Sequence, residues 1–139
     1  MSDERPSILF LCVHNAGRSQ MASGFARAIG GDVVLVLSGG SEPAESVNPS
    51  AVEAMAEIGI DISSQTPHRW TDSDLEVADV VITMGCGDTC PILPGKRYLD
   101  WELEDPAGKG VEQVRPVRDD IERRVRGLLA ELGVVEEQP

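Results

Sequence analysis

The stretch CVHNAGRS, Cys12 to Ser19, sets a thiol at the start of a short loop and a guanidinium near its end, in Cys-x5-Arg spacing after the apolar run SILFL. A loop that leaves a strand and enters a helix turns successive backbone N–H groups into one concavity, and the helix N-terminus adds partial positive charge. Such a place binds a tetrahedral oxyanion, and the same field favours thiolate over thiol. Arg18 offers a planar fork for two anion oxygens while leaving the central atom open to attack, a geometry that Lys does not reproduce. Gly17 permits tight curvature, Asn15 suits a left-handed corner or a side-chain tie, and Ser19 is a hydrogen-bond donor for the sulfur. The pattern points to attack by Cys12 on a bound oxyanion, with Val13, His14, Asn15, Ala16, Gly17, Arg18 and Ser19 forming the binding cradle. The competing reading is an inert core cysteine. His14 has no acidic orienter near it in sequence, so it is assigned to the cradle and not to the chemistry.

The elements that must position this loop are legible around it. ILFLCV reads as a short buried strand, and SQMASGFARAIG as a helix with Met21, Ala22, Phe25, Ala28 and Ile29 at helical spacing before Gly30 and Gly31. DVVLVLSGG is a second strand, NPSAVEAMAEIG a second helix with Asn48 as cap and Pro49 at its first position, and ADVVITM a third strand. From Gly85 to Lys109 the periodicity fails in a Gly- and Pro-rich region where KRYL is a candidate fourth strand. VEQVRPVRDDIERRVRGLLAELG closes the chain as a helix, with Val117, Ile121, Val125, Leu128, Leu129 and Leu132 as its apolar stripe and Pro116 expected in its first turn. Strands alternating with helices predict an α/β fold with a parallel sheet covered on both faces.

With 139 residues, 41% of them hydrophobic, the chain is expected to form a single domain over residues 1–139. Its 24 acidic and 12 basic residues leave a formal charge of −12, which disfavours nucleic acid and anionic membrane as partners and requires any small anion to find a local positive site. No apolar run approaches the roughly 18 residues of a membrane span, so a cytoplasmic location is expected. Three cysteines in a reducing compartment suggest catalysis, metal binding or simple burial over permanent staples.

Across CVHNAGRSQMA, SVNPSAVEAMAEIGIDIS, VITMGCGDTCPILPGK and DWELEDPAGK the chain resembles the arsenate reductases of the low-molecular-weight tyrosine phosphatase superfamily, from about Ile8 to Leu132. The resemblance implies a four-stranded parallel sheet flanked by helices. It also implies a choice of chemistry, because phosphatases of that fold hydrolyse a phosphocysteine with water and need no further thiol. Here MGCGDTCP supplies Cys86 and Cys90 directly after the third strand, at the sheet edge where Cys12 lies. Reducing arsenate to arsenite takes two electrons, which two thiols deliver by becoming a disulfide. The resemblance therefore implies a relay: Cys12 forms an arsenic adduct, Cys86 attacks the Cys12 sulfur, and Cys90 attacks Cys86 and hands the oxidation to thioredoxin or another thiol reductant.

Asp105, before Pro106 in EDPAGK, matches the family's general-acid position, with Asp100 as the fallback. No organic cofactor and no catalytic metal is expected. Zinc on Cys86 and Cys90 would need two more ligands from Cys12, His14 and His68. In some thioredoxin-linked relatives an acidic residue helps to bind potassium near the loop; Asn15 and Ser38 match that site, whereas Ser23 replaces the acid. Three residues separate Cys86 from Cys90, a tighter spacing than in better-known members, and Gly17 stands where many relatives carry another cysteine. Gln20 favours the reductase branch, since phosphatases tend to have proline there. The alternatives are a tyrosine phosphatase of the same fold and an arsenite-binding or redox-sensing protein that uses its thiols without turnover.

Overall fold

The computed structural model describes residues 5–84, 97–103 and 108–134. Four strands, β1 (Ser7–Cys12), β2 (Leu35–Gly40), β3 (Val80–Thr83) and β4 (Arg97–Asp100), form a parallel sheet in the order β2-β1-β3-β4. The helices are α1 (Arg18–Gly30), α2 (Pro49–Ala56), α3 (Asp72–Val77) and α4 (Val111–Glu131), with a single 3-10 turn at Gly31–Val33 after α1. The expected α/β architecture is thus present, and Arg97, Tyr98 and Leu99 of KRYL lie in the edge strand β4.

Every residue of β1 is buried, because the strand is central and covered on both faces. Ile8, Phe10 and Cys12 face a core built with Met21 and Phe25 of α1, Met55 of α2, and Ile121, Val125 and Leu129 of α4. Leu9 and Leu11 face the opposite way, toward Leu75, Ala78 and Val81. The side-chain period of two thus divides one continuous apolar run between two cores.

Asn48 caps α2 as expected, its side chain accepting from the Ser50 N–H at 2.9 Å. That helix ends at Ala56, short of the expected Gly59, where the chain turns through a positive φ of 83°. Two details of the sequence reading are corrected. Pro116 lies inside α4, past its first turn: the helix starts at Val111 as expected, behind the cap residue Gly110, and a turn of about 3.6 residues ends before Pro116. The short helix α3 was not expected, although Thr71 and Asp74 close a reciprocal capping box at its start.

Strand order reverses at β1, whose neighbours β2 and β3 lie on opposite sides, and this switch point is where open parallel sheets leave a crevice at their carboxyl edge. Cys12 is the last residue of β1 and pairs in register with Gly40, the last of β2.

Candidate active site

The loop between β1 and α1 is shaped by where its carbonyls go. The Val13, His14 and Ala16 carbonyls accept from the backbone N–H groups of Glu42, Ala44 and Asn48, at 2.8, 2.9 and 2.8 Å. The Asn15 carbonyl accepts from Gln20 Nε2 at 2.8 Å, and that of Gly17 from the Met21 N–H at 2.9 Å. In a trans peptide the C=O and the following N–H point in opposite directions. With each carbonyl from 13 to 17 held by the surrounding chain, the N–H groups of residues 14 to 18 are directed away from those donors and are left for a guest. Asn15 makes the corner with a φ of 49°, the left-handed conformation that Asn tolerates better than most residues. Gly40 allows the loop to lie close: a Cβ there would sit 2.6 Å from the Val13 carbonyl oxygen and 3.0 Å from the Asn15 nitrogen.

The polarity of the side-chain network is forced by backbone groups that have only one role. Gln20 Nε2 must be a donor because it faces a carbonyl, and the same nitrogen lies 3.0 Å from Asn15 Oδ1, which also accepts from the His68 N–H at 3.1 Å. Asn15 Nδ2 is then free to donate, and does so to Ser19 Oγ at 2.7 Å. Ser19 Oγ, already accepting from Asn15, lies 2.8 Å from Cys12 Sγ, where its own hydrogen is available to a thiolate sulfur. Cys12, Asn15, Ser19 and Gln20 are all buried. A sulfur that accepts such a bond is suited to bear charge as a nucleophile.

Arg18 opens α1 and is buried, its Nη1 a long 3.5 Å from the Leu103 carbonyl. Cys12, His14, Ala16, Gly17 and Arg18 line a cleft of about 450 Å³. Asn48, Ser50 and Lys109 also contribute to its wall and were not singled out from the sequence as lining residues, since nothing local marks them. The Ser50 hydroxyl donates to the Lys109 carbonyl at 2.8 Å and joins α2 to that wall. His14 does reach the cleft, and its orienter is a backbone group: Nδ1 lies 3.0 Å from the Glu42 carbonyl, which makes Nδ1 the protonated nitrogen of the neutral ring. Asp100 accepts from the Thr83 hydroxyl at 2.8 Å and is not among the residues lining this cleft. Cys86, Cys90 and Asp105 lie outside the described residues.

The residues suggested for a potassium ion carry no negative charge, and Asn15 and Ser23 are engaged in the loop network. Two N–H donors already use Asn15 Oδ1, and the Ser23 hydroxyl is neutral and donates to the Ser19 carbonyl at 2.9 Å.

Residues 7–137 match the low molecular weight phosphotyrosine protein phosphatase family. The chain belongs to this family. Arsenate reductase 2 of Staphylococcus epidermidis is 43% identical over 90% of this chain and 97% of its own length. The glutaredoxin arsenate reductase of Synechocystis is 40% identical over 91% and 98%. Among solved structures, a thioredoxin-dependent arsenate reductase of Corynebacterium glutamicum superposes with a TM-score of 0.84 at 42% identity. That alignment covers 96% of this chain but only 65% of the other. No helix among the described residues is long and apolar enough to cross a membrane.

Proposed function

We propose that this chain reduces arsenate to arsenite with Cys12 as nucleophile. The observation that carries the reading is a buried thiol at hydrogen-bond distance from the Ser19 hydroxyl, beside a loop whose carbonyls from Val13 to Gly17 are all engaged elsewhere, and a buried arginine lining the same cleft. The names of relatives with mutual coverage of 90% or more support arsenate as the oxyanion.

In the proposed reaction arsenate enters the cleft, and the loop N–H groups and the Arg18 fork bind its oxygens. Cys12 attacks arsenic, and one oxygen leaves as water after protonation by Asp105. Cys86 then attacks the Cys12 sulfur. The electron pair of the sulfur–arsenic bond passes to arsenic, arsenite departs, and a Cys12–Cys86 disulfide remains. Cys90 attacks Cys86, restores the Cys12 thiolate and leaves a Cys86–Cys90 disulfide for thioredoxin or another thiol reductant of the cytoplasm. The two thiols supply the two electrons that arsenic gains.

The described flanks of the relay segments are consistent with this assignment. Met84, which precedes Cys86 by two residues, donates its N–H to the Leu11 carbonyl at 2.8 Å, next to Cys12. Two residues of chain reach at most about 7 Å. Asp105 is bracketed by Leu103, whose carbonyl contacts Arg18, and by Gly108 and Lys109, which line the cleft.

The test is arsenate-dependent NADPH consumption with thioredoxin and its reductase, beside a glutathione–glutaredoxin system. Turnover in either supports the reading and identifies the reductant. Strong hydrolysis of phosphotyrosine peptides without arsenate reduction in either system would assign the chain to the phosphatases instead.

A further inference from the structure

The hydrogen bonds that aim Ser19 at Cys12 do not stop at Asn15. Gln65, from the segment between α2 and α3, donates Nε2 to Gln20 Oε1 at 2.5 Å and lies 3.2 Å from the Gln20 carbonyl. Its own Oε1 accepts from Arg27 Nη1 at 3.1 Å. A guanidinium has no acceptor, so Arg27 determines which way the Gln65 amide lies. Gln65 then fixes Gln20, and Gln20 presents one nitrogen to both the Asn15 carbonyl and Asn15 Oδ1. Arg27 is itself anchored by Nη2 on the Val36 carbonyl at 3.3 Å.

We infer that Gln65 and Gln20 are positioning residues for the nucleophile: a one-directional chain of donors, Arg27 to Gln65 to Gln20 to Asn15 to Ser19, ends on the Cys12 sulfur and holds the left-handed corner of the anion loop. An Asn15 amide turned over would present an acceptor face to Ser19, and the Ser19 hydrogen would then point at Asn15 and not at sulfur. A released Asn15 carbonyl would free the Ala16 N–H to turn. Gln65 is not among the residues lining the cleft, and its side chain meets the loop network through Gln20, while the His68 N–H from the same segment holds Asn15 Oδ1 independently. The inference rests on Cys12 being the nucleophile, and its test reads that sulfur without arsenate.

Two variants separate the donor chain from bulk charge. Gln65→Met removes the donor with no new charge, and Gln65→Glu replaces it with an acceptor that still pairs with Arg27. The rate of Cys12 alkylation by iodoacetamide is followed against pH, with arsenate turnover measured alongside. The other charged or titratable groups lining the cleft, Arg18, His14 and Lys109, are the same in both variants. In both variants the alkylation profile should move to higher pH. The kcat/KM for arsenate should fall about tenfold, the weight of one net hydrogen bond. A wild-type profile in a folded Gln65→Met protein overturns the inference, even if Gln65→Glu is impaired, because the effect would then be charge alone. Should Gln65→Met fail to fold, the side-chain NH2 resonances of Gln20 and Gln65 in the wild-type protein decide. They should shift with the same pH midpoint as the Cys12 Cβ, and resonances that stay fixed overturn the inference. Loss of arsenate turnover in the wild-type protein with these thiol readouts intact would refute the proposed substrate and leave the donor chain standing.

Discussion

Arg18 and the three cysteines divide the proposed work so that each substitution should halt the reaction at a different species. Arg18→Lys keeps the charge and loses the fork; turnover should drop about 100- to 1,000-fold, the cost of removing a donor aimed at developing oxyanion charge, with melting temperature little changed. Steady-state kinetics beside thermal melting checks this, and near-wild-type activity in a folded Lys variant removes Arg18 from the mechanism. Cys12→Ser should abolish both arsenate reduction and any side activity on aryl phosphates. Cys86→Ser should lose reduction and keep the aryl-phosphate activity, since the loop and nucleophile are intact. Cys90→Ser should release about one arsenite per enzyme and stall with Cys12 joined to Cys86. Single-turnover arsenite release with mass mapping of disulfides distinguishes the three, and sustained turnover by Cys90→Ser would exclude the second exchange.

At the scale of elements, the anion loop depends on contacts that its own sequence does not contain. Gly40 closes β2 against the loop, so Gly40→Ala must displace nearby backbone. The clash falls on the Val13 and Cys12 carbonyl oxygens, 2.6 and 2.9 Å from the added Cβ. The substitution should destabilise the protein by about 1 to 3 kcal/mol and depress arsenate turnover by more than that loss of stability accounts for. Chemical denaturation and kinetics on the same preparation test the pair. Just past the end of α2, Glu57 carries negative charge where helix carbonyls already concentrate it. Arg115 of α4 offsets this through Nε and Nη2 at 3.0 and 2.6 Å, and Arg118 through Nη1 at 2.8 Å. The hydrogen bond from Arg115, ahead of the one from Arg118, holds the Glu57 carboxyl below its ordinary 4.5. A depressed carboxyl stabilises the fold fully above its unfolded value and loses that contribution as pH falls through the folded one. Glu57→Gln should therefore melt below wild type at neutral pH, and the two melting curves should converge under acid below 4.5.

For the whole molecule, what could be read from the chain divides by distance along it. Strand, loop and helix from Ile8 to Gly30 are legible because the apolar run, Asn15, Gly17 and the helical spacing of Met21, Ala22 and Phe25 act locally. The buried state of β1 on both faces follows from the same run. The donors that shape the loop come from Glu42, Ala44 and Asn48, and Gln65 stands 45 positions from Gln20, so no spacing rule announces them. The α3 cap is the opposite case, since Thr71 and Asp74 carry its signature at three residues' separation. Pro116 was misplaced although the start at Val111 was read correctly, because the sixth residue of a helix already lies beyond a first turn of about 3.6 residues. Charge also resolves only at this scale. On a molecule of net −12, several arginines are committed to acidic partners, as Arg97 is with Glu131 and Arg126 with Glu122, while Arg18 and Lys109 line the anion cleft.

The outward anchoring of the loop carbonyls bears on selectivity. A cradle assembled before its guest arrives, from main-chain donors and a guanidinium, measures charge and tetrahedral shape. Arsenate and phosphate share both. The cell's phosphate should therefore sit in the same hollow as a competitive inhibitor, raising KM for arsenate and leaving kcat untouched, which initial rates over a phosphate series would show. Discrimination then falls to the step after binding, because only arsenic accepts an electron pair from sulfur and leaves in a lower oxidation state. The enzyme would tell the two anions apart by what they become, and its sensitivity to arsenate in a living cell would rise and fall with phosphate supply.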